Sequence, residues 1–250
     1  MSQPLRIAMW SGPRNISTAM MRAWENRPDC AVSDEPLYAA WLSLSGADHP
    51  VREEVMAAGE RDWRKVAAAL TRGPVPGGHA IWYQKHMCHH LDPSIGLHWI
   101  AELNNVFLIR RPDEVVASYV RARGTDNITP EDVGLPQQTM LFDWLEQNIG
   151  RAPPVIDGGE FLNAPEDYLR ALCEWLDIDF RPEMLTWPPG PRDSDGVWAK
   201  HWYAAVWRST GFSSPQARKI ELTGRAAEVA EFCTPLYERL HAHRMKIHQA

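Results

Sequence analysis

Cysteine is scarce and scattered in this chain: Cys30, Cys88, Cys173 and Cys233 form no CxxC pair and no short metal-ligand spacing. No zinc or dithiol motif is legible, and buried free thiols in a reducing compartment are expected. No segment approaches the ~20 apolar residues of a membrane span. The start, MSQPLRIAMWSG, lacks a basic segment followed by an apolar stretch. A cytoplasmic enzyme or binding protein without integral membrane association is expected. Positive charge is in deficit, since 26 Lys+Arg against 32 Asp+Glu give a net charge of -6. That balance argues against nucleic acid or an anionic membrane as the main partner, so any anionic ligand must be held by a local basic site. Phe and Tyr are few, 6 of each, whereas Trp numbers 12.

The remaining composition, 44% hydrophobic and 23% charged over 250 residues, is that of a globular chain able to bury one sizeable core. Residues 5–10 read as a buried strand, SGPRNIST as a turn, and residues 17–25 as a helix. Residues 30–33 read as a second strand ending at Asp34-Glu35-Pro36, and residues 53–70 as one helix before the breaker GPVPGG. Residues 79–84 and 106–109 are further strands. Pro112 opens a helix with Asp113 and Glu114 in its first turn, where proline is preorganised and acids meet the positive dipole end. Another strand begins at 155–156, a helix runs from Pro165 to about Leu176, and 224–243 forms a terminal helix with a kink or break expected at Pro235. Strand then helix, repeated, predicts an α/β fold: three layers, with a central, mainly parallel β-sheet flanked by helices and ligands at the carboxyl ends of the strands. Residues 1–250 read as a single domain, with 190–250 as a C-terminal helical lid or extension.

The first strand, turn and helix have the topology of a phosphate-binding loop, formed by Gly12, Pro13, Arg14, Asn15, Ile16, Ser17 and Thr18. Amides at a helix start and nearby hydroxyls surround anionic oxygens, and Arg14 adds charge and directed donors. The Walker A pattern is absent: no Lys follows, and Ile16 stands where a second Gly would be. The plain alternative is a turn whose Ser17 or Thr18 caps a helix. A second segment, 107–119, places Arg110 at a strand end and Ser118 about two helical turns beyond. The two segments together resemble the P-loop sulfotransferases, above all the bacterial and carbohydrate branch with its RSGST-like loop. The resemblance implies transfer of a sulfuryl group from 3'-phosphoadenosine 5'-phosphosulfate (PAPS), with 3',5'-ADP as product and no metal. It implies that the 12–18 loop grips the 5'-phosphosulfate and that Arg110 and Ser118 hold the 3'-phosphate. Arg111 is expected to pair with a nearby acid. The segment Ser33-Asp34-Glu35-Pro36-Leu37 is similar to the acidic EPL segment of carbohydrate sulfotransferases, and 168–176 with 184–187 resembles a later helix and loop of the family. The RKG-type loop of cytosolic members is missing; 207–212 is the nearest substitute.

Sulfuryl transfer needs a base for the acceptor, in-line placement and positive charge on the departing phosphate. His86 is the first candidate base and Glu35 the rival, with Arg14 and Lys85 placed to stabilise the leaving group. The plainer alternatives are that His86, His89 and His90 are structural or solvated, and that Glu35 caps a helix or forms a salt bridge. Trp175, Trp187, Trp198, Trp202 and Trp207 either line an acceptor pocket or, for most of them, pack the C-terminal region onto the sheet. A small-molecule or saccharide acceptor bearing a hydroxyl or amine is expected. The competing readings are a P-loop kinase of a small metabolite and a noncatalytic nucleotide-binding protein of the same fold. The first loop also resembles sulfotransferase-like segments attached to some aminotransferase-like proteins, but no Lys context for pyridoxal phosphate is discernible.

Overall fold

Strand β1 (Leu5–Ser11) runs through the centre of the molecule, and Ile7, Ala8, Met9 and Trp10 have no accessible surface. Such burial on both faces is what a continuous apolar run in a parallel sheet supplies. Around it lie β2 (Cys30–Asp34), β3 (Ile81–Met87), β4 (Asn104–Ile109) and β5 (Val155–Asp157), in the order β2-β3-β1-β4-β5, all paired in parallel. The computed structural model describes residues 3–214 and 220–247.

Alternate strand residues feed two cores. Ile7, Met9, Tyr83, Val106 and Leu108 face the layer of α1 (Ser17–Glu25), α8 (Gly158–Asn163) and α9 (Pro165–Trp175). Ala8, Trp10, Trp82, Phe107 and Ile109 face α4 (Trp63–Arg72), α5 (Pro112–Arg123), α7 (Leu135–Ile149) and α12 (Gly224–His241). A third cluster, built on Tyr38, Leu42, Val55, Trp198 and Tyr203, joins α2 (Tyr38–Ser45) and α3 (Arg52–Ala58) to α10 (Ala199–Trp202) and α11 (Ala204–Trp207). The short α6 (Pro130–Val133) carries a reciprocal cap between Thr129 and Asp132. The three-layer parallel α/β arrangement is therefore as the sequence predicts.

Several elements differ from expectation. The single helix over 53–70 is two, separated by residues 59–62, and α2 and α7 were not anticipated. Strand β3 extends through Lys85 and His86 to Met87, because these polar residues find buried partners. Helix α12 continues through Pro235, which lies on its exposed side, where the carbonyl left without its helical donor is open to solvent. The 190–250 region divides: 199–207 joins the third cluster, whereas Val229, Cys233 and Leu240 of α12 pack into the main core. Residues 215–219 and 248–250 of that region, and residues 1–2, lie outside the described residues. All four cysteines are buried and free. Among the described residues no helix is long and apolar enough to cross a membrane, and no group of His, Cys, Asp or Glu is arranged to hold a metal.

Candidate active site

The chain leaves β1 toward β2 and leaves β4 toward β5, on opposite sides, so a crevice opens where these neighbouring strands end. Buried Gln138 closes its floor, donating from Nε2 to Trp10 O at 2.9 Å and to Leu108 O at 3.0 Å. Asn15 Nδ2 also donates to Leu108 O, at 3.0 Å, while its Oδ1 accepts from Ile16 N at 3.1 Å. Asn15 thus shapes the loop. Gly12 does so by absence: a Cβ there would lie 2.3 Å from Val133 O, so only glycine lets α6 approach.

Arg14 adopts the left-handed backbone conformation, φ 58°, a strained state for a side chain that turns the loop into α1. No side chain caps the start of α1, which excludes the plain helix-cap reading of Ser17 and Thr18 there. The first-turn amides are left facing the crevice. Arg14 Nε donates to Ser118 Oγ at 3.1 Å, and Arg110 Nη1 reaches Arg14 O at 3.4 Å while its Nε donates to Glu114 Oε2 at 2.7 Å. The two sequence segments therefore meet. Burial, followed by the like charges of Arg110 and Arg121, pushes the Arg14 guanidinium below its usual pKa, a concentration of positive potential that an anion relieves. Arg111 pairs with Asp113 at 2.7 Å, as expected.

Pro13, Arg14, Asn15, Ile16, Ser17, Thr18, Arg110 and Ser118 line one cavity of about 290 Å³, together with Glu35 and Lys85. Lys85 is 1% exposed and donates to Asp34 Oδ1 at 2.8 Å, Glu35 Oε1 at 2.6 Å and Tyr203 Oη at 2.6 Å. All three ammonium protons are committed. Lys85 is thus the counter-ion of two acids rather than a free donor for a leaving phosphate, which corrects that expectation. Burial alone would lower its pKa, but Asp34 and Glu35 outweigh it and hold the ammonium well above the ordinary lysine range. At Glu35 burial dominates over the opposing charge of Lys85 and raises the carboxyl pKa. Its backbone is also left-handed, φ 45°.

His86 is not part of this site. Strand alternation sends it to the face opposite Lys85, where its ring stacks on Trp10 at 4.2 Å and Nε2 meets Gln84 Oε1 at 3.3 Å. It is 1% exposed, and burial lowers its pKa to about 3. The structure thus separates the first candidate base from the cavity and leaves Glu35 within it.

Other groups at the cavity, Trp202 apart, were not read as site residues. Tyr203, from the far end of the chain, donates to Asp34 Oδ2 at 2.8 Å and accepts from Lys85. Tyr38, Trp41, His49, His89, His90, Trp202 and Arg123 form an aromatic chamber beside Glu35. The ring of His90 stacks on Tyr38 at 4.4 Å and on Trp41 at 4.9 Å. Burial keeps these imidazoles neutral, with pKa values pushed down to about 4 for His49 and about 3 for His89. Of the late tryptophans, Trp202 lines the chamber and Trp198 packs beneath it, while Trp187 packs against Phe212. Ser209 of the 207–212 segment is held by Trp187 Nε1 at 3.1 Å, and no residue from 208 to 212 lines the cavity.

A parallel sheet with a crevice at the strand switch point, where the loop before α1 meets two converging arginines, defines an α/β protein of the P-loop kind. Residues 5–243 match the family model described as a sulfotransferase domain, and the chain belongs to that family. Its fold is shared with a sulfotransferase domain from the curacin biosynthetic pathway, at a TM-score of 0.54 and 15% identity, covering 92% of this chain and 98% of that one. A sulfotransferase from Alicyclobacillus acidocaldarius gives a TM-score of 0.55 at 14% identity, covering 98% of both chains. Two Arabidopsis thaliana proteins, named branched-chain-amino-acid aminotransferase-like protein 2 and protein 1, are each 35% identical over 237 and 243 residues. These matches cover 95% and 97% of this chain but only 41% and 43% of those proteins, so the chain spans less than half their length.

Proposed function

We propose that the cavity binds PAPS and that the protein transfers its sulfuryl group to a hydroxyl or amine of a small-molecule or saccharide acceptor. The observation that carries this reading is the meeting of Arg14 with Ser118 and Arg110 at the uncapped start of α1, within one cavity that also contains Glu35. The residues present fit such a cofactor: the loop amides, Ser17 and Thr18 suit a 5'-phosphosulfate, and Arg110 with Ser118 suits a 3'-phosphate. Bound there, PAPS supplies an activated sulfuryl group whose departure leaves 3',5'-ADP.

The chain's own residues position the acceptor and receive its proton. Glu35 takes that proton as the acceptor oxygen or nitrogen attacks sulfur, and Arg14 with the α1 amides stabilises charge growing on the departing phosphate oxygen. Lys85, Asp34 and Tyr203 hold Glu35 in place. Burial raises the carboxyl pKa and makes it a stronger base than an exposed glutamate. The test is incubation with PAPS and a panel of hydroxyl and amine acceptors, scored for 3',5'-ADP release. Acceptor-dependent release that Glu35→Gln removes supports the reading; no release with any acceptor, alongside turnover of ATP, overturns it.

A further inference from the structure

The cations around the cavity differ in what they already hold. Lys85 is saturated by Asp34, Glu35 and Tyr203; Arg110 is paired with Glu114, and Arg14 with Ser118. Arg123, in the last turn of α5, is different. Its Nη1 is buried without a hydrogen-bond partner among the described residues, and the one polar-face contact of its guanidinium is the Tyr119 ring at 5.7 Å. A desolvated, unpaired guanidinium donor is costly, so such a group calls for an acceptor brought by a ligand. Arg123 lines the chamber together with Tyr38, His49 and His89. The helix C-terminus explains a basic residue there, and exposed Arg121 already serves that end; it does not explain an inward, unpartnered one.

The surroundings narrow the ligand further. A second cavity, of about 560 Å³, shares Arg123, His49, Ala122 and Trp202 with the first, so Arg123 stands in the wall between them. The wall carboxylates do not neutralise it: Glu35 is held by Lys85, Asp132 caps α6, and exposed Asp48 forms no ion pair with it among the described residues. Both nitrogens of His90 and Nδ1 of His89 are buried without a hydrogen-bond partner, His90 Nε2 lying 3.9 Å from Glu35 Oε2, in a chamber of neutral rings. Neutral imidazoles and aromatic faces suit hydroxyls and flat rings, and carry no charge to compete with Arg123 for an anion.

We infer that the acceptor is a hydroxylated acid, whose carboxylate or phosphate is received by Arg123 while its hydroxyl is presented to Glu35. This rests on the transfer reading above and names the acceptor class. The test is titration calorimetry on protein saturated with 3',5'-ADP, using two pairs of probes: 4-hydroxyphenylacetate with its amide, and glucose 6-phosphate with glucose. In at least one pair the acid is expected to bind roughly tenfold or more tighter than its neutral partner. Arg123→Gln is expected to lose that preference, by roughly 10- to 100-fold for a charge-assisted contact, while its affinity for 3',5'-ADP is unchanged. Retention of the preference in Arg123→Gln, or no acid-dependent binding in either pair, overturns the inference. Failure of 3',5'-ADP itself to bind the unaltered protein would instead sink the transfer reading, so the two failures are told apart.

Discussion

Glu35 stands at the end of β2 between a buried lysine and an aromatic chamber, and its environment sets both its charge and its direction. Replacing it by glutamine is expected to reduce turnover by about 100- to 10,000-fold, the usual worth of a general base, with 3',5'-ADP binding retained by calorimetry. Because the base must be ionised and burial raises its pKa, activity is expected to fall on acidification, starting at higher pH than for an exposed glutamate. The Tyr203 hydroxyl, whose proton goes to Asp34, lies 3.5 Å from Glu35 Oε1 and gives its ionised form a small added stabilisation after that of Lys85. Tyr203→Phe is therefore expected to move that acid limb of the pH–rate profile upward, a shift that loss of packing alone would not produce. The site was partly legible in these residues. Glu35 could be placed because a strand ended beside it. Lys85 and His86 could not both be right, since neighbours on a strand point to opposite faces, and pattern alone did not say which face held the cavity. Tyr203 gave no local signal, because its contact with Lys85 spans 118 positions.

Helix α5 is preceded by Arg110, carries Ser118 in its middle and ends on Arg123, so one element and its entry place three of the cavity's groups. Arg110→Met is expected to weaken 3',5'-ADP binding by roughly 10- to 100-fold, and Ser118→Ala by less, as a charge-assisted bond outweighs a neutral one. At the loop, Gly12→Ala would press a methyl against Val133 O. Overpacking of this kind costs about 1–3 kcal/mol, read as a lowered denaturant midpoint. The starts of α5 and α9 were legible because Pro112 and Pro165 precede first-turn acids. Helix α7 was not, because its Pro-Gln-Gln opening looks like a loop; its burial comes from Leu141, Phe142 and Leu145 packing into a core no local window reveals.

Across the whole molecule, the parallel layered fold followed from alternation of strand and helix, but the contacts that fasten 194–207 over the site did not. Asp195 there pairs with buried Arg22, and its other oxygen accepts from Trp207 Nε1 at 2.9 Å. Asp195→Ala is expected to cost about 1–3 kcal/mol, the worth of a lost buried charge-assisted bond, because Glu25 still pairs with Arg22 at 3.0 Å. Neutral buried histidines add a pH term. His86 in the folded state protonates only near pH 3, whereas an unfolded histidine does so near about 6.5. The unfolded state thus gains the proton first, and stability is lost as pH falls below that value, by about 2 kcal/mol from this residue at about pH 5. Urea midpoints at pH 7.5 and about pH 5 measure this, with His86→Gln expected to reduce the difference while His49, His89 and His90 keep the rest.

An overall charge of -6 makes a general attraction to anions unavailable, so affinity for a doubly phosphorylated nucleotide has to come from Arg14, Arg110 and the start of α1. Comparing 3',5'-ADP with 5'-AMP by titration calorimetry tests that most directly. The 3'-phosphate is expected to tighten binding by roughly tenfold or more, and Arg110→Met to erase the difference. Equal affinity for the two nucleotides, or a preference unchanged in Arg110→Met, would contradict a PAPS site in this crevice.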